Sequence, residues 1–385
     1  MIPLFKVFTA KRAAERVANV LASGYTAQGP IVEEFERLLR DYLDEQRLLT
    51  VSSGTAALEL ACHLAGVAGG EVISTPQTCS ATNGAIVRAG AKIVWADVDP
   101  FTGNIDPASV NDALSPLTSA VMAVDWSGRC CDYAGLGAQE RPVIRDAAHA
   151  FGAKPDWRPG YTCWSFQSIK HLSTGDGGAL AMPTDQYERA RKLRWFGLDR
   201  TKGESFRCAQ DIGEVGFKAH MNDIAAAIGV ENFHEGFVVG TPILRQHREN
   251  AKCLLDGLQR IENAVGCDFA FAPPYDPASA YWVLTLLVDQ GHGFDLRALD
   301  RVRRERDALA AFLATRGVAS SRVHRRNDEH TAFQRVSTWR VPHPGLDYFD
   351  AAQLSIPCGW WVGEHERNTI LMALFDYATK CKAGA

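Results

Sequence analysis

Leu48-Leu49-Thr50-Val51-Ser52-Ser53-Gly54-Thr55-Ala56-Ala57-Leu58 decides the architecture. A short apolar run is broken by two serines and a glycine, and a helical pattern then opens over 54–65. The same alternation continues downstream. Glu71-Val72-Ile73-Ser74 is a short apolar run, 79–89 is helical, and Lys92-Ile93-Val94-Trp95 is again apolar. Ala120-Val121-Met122-Ala123-Val124 and Pro142-Val143-Ile144-Arg145 follow in the same manner, with two more strand candidates near 162–167 and 178–182. Buried strands alternating with helices predict an α/β fold with a mainly parallel central sheet flanked by helices. Upstream, 9–22 has a helical pattern with Thr9 as its cap and Gly24 as its stop. Residues 31–42 repeat Ile31, Phe35, Leu38, Leu39 and Tyr42 at helical spacing. Helical patterns occupy 183–195, 220–234 and 242–260, then a strand at 281–288 and helices at 301–316 and 363–379. The expected organisation is a large domain over 1–240 and a smaller C-terminal α/β domain over 241–385.

At 385 residues the chain has room for about two domains. Lys plus Arg number 41 against 45 Asp plus Glu, a net charge of −4, which leaves no basic footprint for nucleic acid. A hydrophobic content of 46% supports a large core. No stretch approaches the ~18 apolar residues of a membrane span. Met1-Ile2-Pro3-Leu4-Phe5-Lys6 is too short for a signal peptide. The ten cysteines include no C-x-x-C pair, so no metal site is expected and they read as buried reduced thiols, as in a cytoplasmic protein. The run Arg301, Arg303, Arg304, Arg306 among Asp300, Glu305 and Asp307 reads as a solvated helix face.

Three clusters carry chemistry. Ser52-Ser53-Gly54-Thr55 opens a helix, where free backbone N–H groups and the helix dipole favour a phosphate; an ordinary helix cap is the competing reading. Asp146 ends an apolar strand and is followed by Ala147-Ala148-His149, at the sheet edge where α/β folds bind ligands; a carboxylate capping the next helix is the competing reading. Lys170 sits just past a strand among Phe166, Ile169 and Leu172, before Gly175-Asp176-Gly177-Gly178. Burial lowers a lysine's pKa and frees its amine to condense with an aldehyde. A phosphate site, an acid facing a ring nitrogen and a reactive lysine are together what pyridoxal 5′-phosphate (PLP) requires.

The chain resembles the PLP-dependent sugar aminotransferases of the DegT/DnrJ/StrS type, which share the fold type I architecture of aspartate aminotransferase. The resemblance runs from Gly29-Pro30 to the C-terminus. It is carried by Ser53–Leu58, by Asp146-Ala147-Ala148-His149-Ala150-Phe151-Gly152 and by the Lys170 segment. Leu193-Arg194-Trp195-Phe196-Gly197-Leu198-Asp199-Arg200 and Gly216–Ile224 extend it. It implies that Lys170 carries the cofactor and shuttles the proton, and that Asp146 pairs with the pyridine nitrogen. It places His149 beside the ring, and Gly54, Thr55 and Ser165 at the phosphate. It implies a homodimer with active sites at the subunit interface, into which the segment at 216–221 reaches. The substrates it implies are small molecules: L-glutamate as amino donor and a nucleotide-linked keto-sugar. The corresponding products belong to deoxyamino sugar and lipopolysaccharide O-antigen biosynthesis.

Three positions depart from the family pattern. Cys79 stands where an aromatic residue usually stacks on the pyridine, Lys218 replaces the asparagine contributed across the interface, and His220 replaces a common arginine. Tyr25, Trp126, Trp195 and His324 lie in segments that border the substrate in similar proteins. Family members with histidine in place of the lysine catalyse dehydration; here the matching residue is Lys170, followed by His171, which favours transamination. A PLP-dependent sugar dehydratase or lyase, and a catalytically silent PLP-binding regulator, are the alternatives.

Overall fold

The computed structural model describes residues 1–137, 141–201, 209–239, 242–289 and 294–384. The chain begins with helices α1 (Ala13–Ser23) and α2 (Pro30–Leu43). Gly24 ends α1 at φ 73°, a left-handed turn that glycine adopts without a Cβ clash. Thr9 does not cap this helix. Arg12 holds the cap position without a side-chain bond, and the preceding chain is fixed by Ala10 N donating to Asn232 Oδ1 at 2.7 Å. Pro30 supplies the preset φ of the first turn of α2.

Strands and helices then alternate: β1 (Leu48–Val51), α3 (Gly54–Leu64), β2 (Glu71–Ser74), α4 (Ser80–Arg88), β3 (Lys92–Trp95), α5 (Pro107–Ala113), β4 (Thr118–Val124) and α6 (Tyr133–Gly137). After these come β5 (Val143–Asp146), β6 (Tyr161–Ser165), β7 (Gly178–Ala181), α7 (Tyr187–Leu193), α8 (Asp223–Phe233) and α9 (Ile243–Val265). The rest is β8 (Leu284–Leu287), α10 (Leu299–Thr315), β9 (Ser337–Trp339), α11 (Pro344–Ala352), β10 (Gln353–Ile356) and α12 (Glu364–Gly384).

The central sheet has the order β1-β7-β6-β5-β4-β2-β3-β9. β7 is antiparallel to both of its neighbours, and the other pairings are parallel. Alternate residues of the parallel strands enter opposite cores. Val72, Ile93, Ala120, Met122 and Ile144 pack with Leu60, Leu64 and Ile86 of α3 and α4. Ile73, Val94, Val121, Ala123 and Val143 pack with Val110, Tyr133 and Leu136 of α5 and α6. A sheet covered on both faces explains why its strands are apolar without alternation.

Beyond α9, the antiparallel pair β8–β10 lies against α9, α10 and α12 through Leu258, Ile261, Leu309, Leu313, Ile370 and Leu374. β9, which the sequence pattern did not announce, returns to the central sheet, pairing Ile93 with Ser337 and Trp95 with Trp339. Arg340 then donates to Glu71 Oε2 at 2.8 Å, tying this edge to β2. The boundary expected near 240 falls on residues 240–241, outside the described residues.

Cys62, Cys131, Cys163 and Cys358 are buried and Cys253 is exposed; Cys208 lies outside the described residues. No described helix is long and apolar enough to cross a membrane.

Candidate active site

Parallel pairing of β4, β5 and β6 brings their carboxyl ends to one edge of the sheet, and the acid expected there is in place. Asp146 is the last residue of β5 and is buried. Its Oδ2 accepts from Thr82 Oγ1 at 2.7 Å, and its Oδ1 accepts from Ala148 N at 3.0 Å. Because Thr82 spends its proton on the carboxylate, Thr78 Oγ1 is the donor in the 2.8 Å contact between the two threonines. Asn327 Nδ2 donates to Thr78 O at 2.7 Å, and Asn83 Nδ2 donates to Asn327 Oδ1 at 3.0 Å. The chain of bonds therefore runs from the acid to the segment carrying His324. Burial raises the Asp146 pKa above the ordinary carboxylate range, opposed by Thr82, the Ala148 N–H and the charge of Lys170.

Lys170 lies in the turn after β6, half-buried, with Nζ 3.8 Å from the centroid of the Trp282 ring. Burial lowers its pKa to about 8, opposed by Asp146 and Cys79. Among the described residues its amine has no hydrogen bond or ion pair. His149 is buried and stacks on Trp282, with centroids 3.9 Å apart and planes 15° apart. Burial first, then the charge of Lys170, holds His149 well below the usual histidine range, so its ring is neutral. His324 lies parallel to His149 at 5.7 Å, and its pKa is lowered by burial and Lys170 to about 4. Trp126 meets both imidazoles edge-on, at 6.0 and 5.8 Å. Three buried ring nitrogens of this group, Trp126 Nε1, His149 Nδ1 and His324 Nε2, have no partner among the described residues. Ring nitrogens in that condition are free to meet a ligand.

Cys79 occupies the cap position of α4 and is partly exposed. His171 points elsewhere: its Nε2 donates to Ala280 O at 3.0 Å and its ring lies 4.7 Å from that of His247. At the start of α3, the Ser53 hydroxyl accepts from Ala56 N at 3.0 Å. The N–H groups of Gly54 and Thr55 have no acceptor among the described residues. Ser165, at the end of β6, faces them closely: a Cβ on Gly54 would stand 2.8 Å from Ser165 Cβ. Two free donors and a hydroxyl at a helix start form an anion cradle.

Trp195 and Lys218 meet elsewhere, and Tyr25 lies in the segment before α2. Lys218 Nζ lies 4.0 Å over the Trp195 ring, and the His220 ring is 3.6 Å from it. Burial and the charges of Lys218, Arg194 and Arg200 lower the His220 pKa to about 3. Tyr25 is half exposed and lies against Gly29, where a Cβ would come within 2.7 Å of its ring. Among the described residues none of these makes a hydrogen bond or ring contact with the Asp146–Lys170 group. Sequence reasoning missed Thr82 and Trp282, and took Asn327 only as part of a polar string, 324–328, that could meet a substrate, whereas it bonds Thr78 and Asn83. Thr82 lies in the segment singled out for Cys79, whereas Trp282 sits in an apolar run with no mark of its role.

Residues 8–371 match the model of the DegT/DnrJ/EryC1/StrS aminotransferase family. The spore coat polysaccharide biosynthesis protein SpsC of Bacillus subtilis is 35% identical over 237 residues, which is 57% of this chain and 60% of that protein. The crystal structure of AtS13 from Actinomadura melliaura superposes with a TM-score of 0.85 at 36% identity, covering 98% of each chain. That of the sugar aminotransferase CalS13 from Micromonospora echinospora does so at 0.83 and 32%, covering 98% of this chain and 100% of the other.

Proposed function

The chain belongs to the DegT/DnrJ/EryC1/StrS aminotransferase family, and from that premise we propose that it is a PLP-dependent sugar aminotransferase. In this reading it moves an amino group from L-glutamate to a nucleotide-linked keto-sugar. The observation that carries it is the Lys170 amine, which has no hydrogen bond or ion pair among the described residues and lies 3.8 Å from the indole on which His149 stacks, within the electrostatic reach of the buried Asp146.

The residues present fit the cofactor. The Gly54 and Thr55 N–H groups and the Ser165 hydroxyl suit its phosphate, Asp146 its ring nitrogen, and Lys170 Nζ its aldehyde. When bound, PLP supplies a ring that takes up the electrons of a broken C–H bond. Asp146 would keep the ring nitrogen protonated, and Thr82 and Ala148 N hold the two carboxylate oxygens of Asp146 in place. Lys170 Nζ, with a pKa close to neutrality, removes the donor's α-proton and later returns one, as general base and then acid. His149, neutral, would offer its unpartnered ring nitrogen to an oxygen substituent of the cofactor, and Trp126 and His324 would border the acceptor. Tyr25, Trp195 and Lys218, which lie apart from this group, serve the partner's site in a homodimer. The orientation of His171 toward Ala280 leaves Lys170 as the proton carrier, which favours transamination over dehydration.

The test begins with borohydride reduction of the PLP-loaded protein and peptide mass analysis, which should find the adduct at Lys170. L-Glutamate should then convert the loaded protein to its amine form, and a keto-sugar nucleotide should restore the aldehyde form. Lys170→Ala should lose both the adduct and the exchange. Undiminished exchange by that variant overturns the assignment, and sugar turnover without stoichiometric glutamate indicates a lyase.

A further inference from the structure

We propose that Trp282 is a positioning residue for Lys170: its indole holds the lysine amine in its charged form and fixes the His149 ring beside it. This rests on Lys170 being the reactive amine.

The contacts come from three sides of the indole. Lys170 Nζ lies 3.8 Å from the ring centroid, and the His149 ring stacks at 3.9 Å. Trp282 Nε1 donates to Ile169 O at 2.9 Å, the carbonyl immediately before the lysine. The side chain is thus tied to the turn that carries the amine. Phe5 stacks on the same indole at 4.6 Å, which secures it from the N-terminal segment.

The backbone that delivers Trp282 is strained and firmly held. Tyr281 has φ 49°, in the left-handed region that a bulky residue rarely adopts. The carbonyls on this segment are both bonded: Ala280 O accepts from His171 Nε2 at 3.0 Å, and Tyr281 O accepts from His247 Nδ1 at 2.8 Å. Ala280 N donates to Gly128 O and Trp282 N donates to Ser127 O, at 2.8 and 2.9 Å. Gly128, at φ 98°, could not be larger, because a Cβ would come within 2.7 Å of Tyr281 N and 2.8 Å of His149 O. Strain held by this many partners marks a position with a task.

The chemistry explains the choice of an indole. A lysine that must give up and regain a proton needs its charged form stabilised by a group that cannot take the proton. A carboxylate in contact would pin the ammonium; an aromatic face attracts the cation and has no basic lone pair to offer. The other groups facing the amine are Asp146 from β5, Cys79 from the start of α4, and the imidazoles of His149, His171 and His324, all held below the usual histidine range by burial. Asp146 acts on the amine without bonding to it, so the indole is the aromatic surface on which the charge rests.

The experiment replaces Trp282 in the full-length chain by 5-fluoro- and then by 4,5,6,7-tetrafluorotryptophan. These keep the shape and the N–H donor while draining the ring's negative face. Lys170 in the cofactor-free protein is labelled with acetic anhydride across pH and read by peptide mass analysis. The titration midpoint should fall with fluorine content, by roughly half a unit to one unit for the tetrafluoro residue. A purely structural Trp282 would leave the midpoint in place, and a midpoint that is unchanged or rises with fluorination overturns the proposal. The label reads the amine alone. Failure of the PLP reading would show separately, as the absence of a borohydride-stable adduct at Lys170.

Discussion

Replacing Gly178 by alanine tests the phosphate cradle without touching any residue assigned to it. Gly178 opens β7 and is paired with Val51 of β1 on one side and Ser165 of β6 on the other. A Cβ at this position would lie 2.6 Å from Ser53 C and O and 2.7 Å from Gly54 N. All three are backbone atoms, so no rotamer change relieves the overlap. Ordinary contact begins at 3.4 Å, so the start of α3 must withdraw by about 0.8 Å. A donor bond of about 2.9 Å lengthened by that much leaves the range in which hydrogen bonds are effective. Loss of one bond to a charged group costs about 1.5–3 kcal/mol, or roughly a 10- to 100-fold weaker hold on the phosphate at about 1.4 kcal/mol per tenfold. The assay titrates the cofactor-free chain with PLP and with pyridoxal, which lacks the phosphate, following the absorbance of each. Gly178→Ala should weaken PLP in that proportion and leave pyridoxal nearly unchanged. Gly160→Ala is the control, since its Cβ would meet nothing nearer than Val143 O at 3.8 Å. Binding of PLP by Gly178→Ala within twofold of the native chain, or equal loss of both ligands, would refute the reasoning.

Two further substitutions test the supports of the site. Thr82→Val removes the hydroxyl that donates to Asp146 Oδ2 at 2.7 Å, and so raises further a carboxyl already raised by burial. A carboxyl whose folded pKa exceeds its unfolded one costs stability as the pH climbs past the unfolded value, and the cost is full above the folded value. The variant should therefore lose about 1.5–3 kcal/mol at neutral pH and less in mild acid. Thr82→Ser should recover most of the loss, and urea unfolding showing an equal loss at both pH values would contradict this. Arg194 is buried and donates from Nη1 to Glu36 Oε1 at 2.6 Å and to Thr50 O at 2.7 Å. Arg194→Met removes one of the two arginines paired with the buried Glu36, leaving Arg40 Nη2 on Oε2 at 2.8 Å, and should cost about 1.5–3 kcal/mol. Adding Glu36→Gln should cost less than the same change in the native chain, and strict additivity of the two losses in a double-mutant cycle would show that the pair does not interact.

The central sheet was legible because of how it is buried. Glu71–Ser74 and Lys92–Trp95 form β2 and β3 at the residues their apolar runs marked. Strands covered on both faces need continuous apolar side chains, and nothing else in the chain competes for those segments. β9 was not legible. Ser337-Thr338-Trp339 is three residues long, only partly buried, and has no apolar run. β10 was hidden for another reason, since it buries the polar Gln353 and Ser355, residue types that do not mark a buried strand. Arg306 shows the same limit. It stands in a charged run that reads as a solvated face, yet it is buried and donates to Asp350 O and Ala351 O at 2.8 and 2.9 Å.

The site divides along a similar line. Asp146 and Lys170 could be proposed from the sequence because an acid ending a strand and a lysine before a glycine turn are unusual residue types for those places. Trp282 could not, because an aromatic residue in an apolar run is ordinary; what sets it apart is the positive φ of Tyr281, which no residue type announces. Cys79 was read as the loss of an aromatic surface on the ring side of the site, but the fold brings an indole to Lys170 from more than a hundred residues downstream. Register decides whether such parts meet. Asp146 is opposite Cys163, so Ser165 extends two residues further on the same edge. A slip of one residue between β5 and β6 would carry every side chain of the slipped strand to the other face. The acid would then enter the core behind the sheet, away from Thr82. The pairing of Asp146 with Cys163 and of Ser165 with Gly178 is therefore the one in which an acid, a hydroxyl and a helix start share an edge.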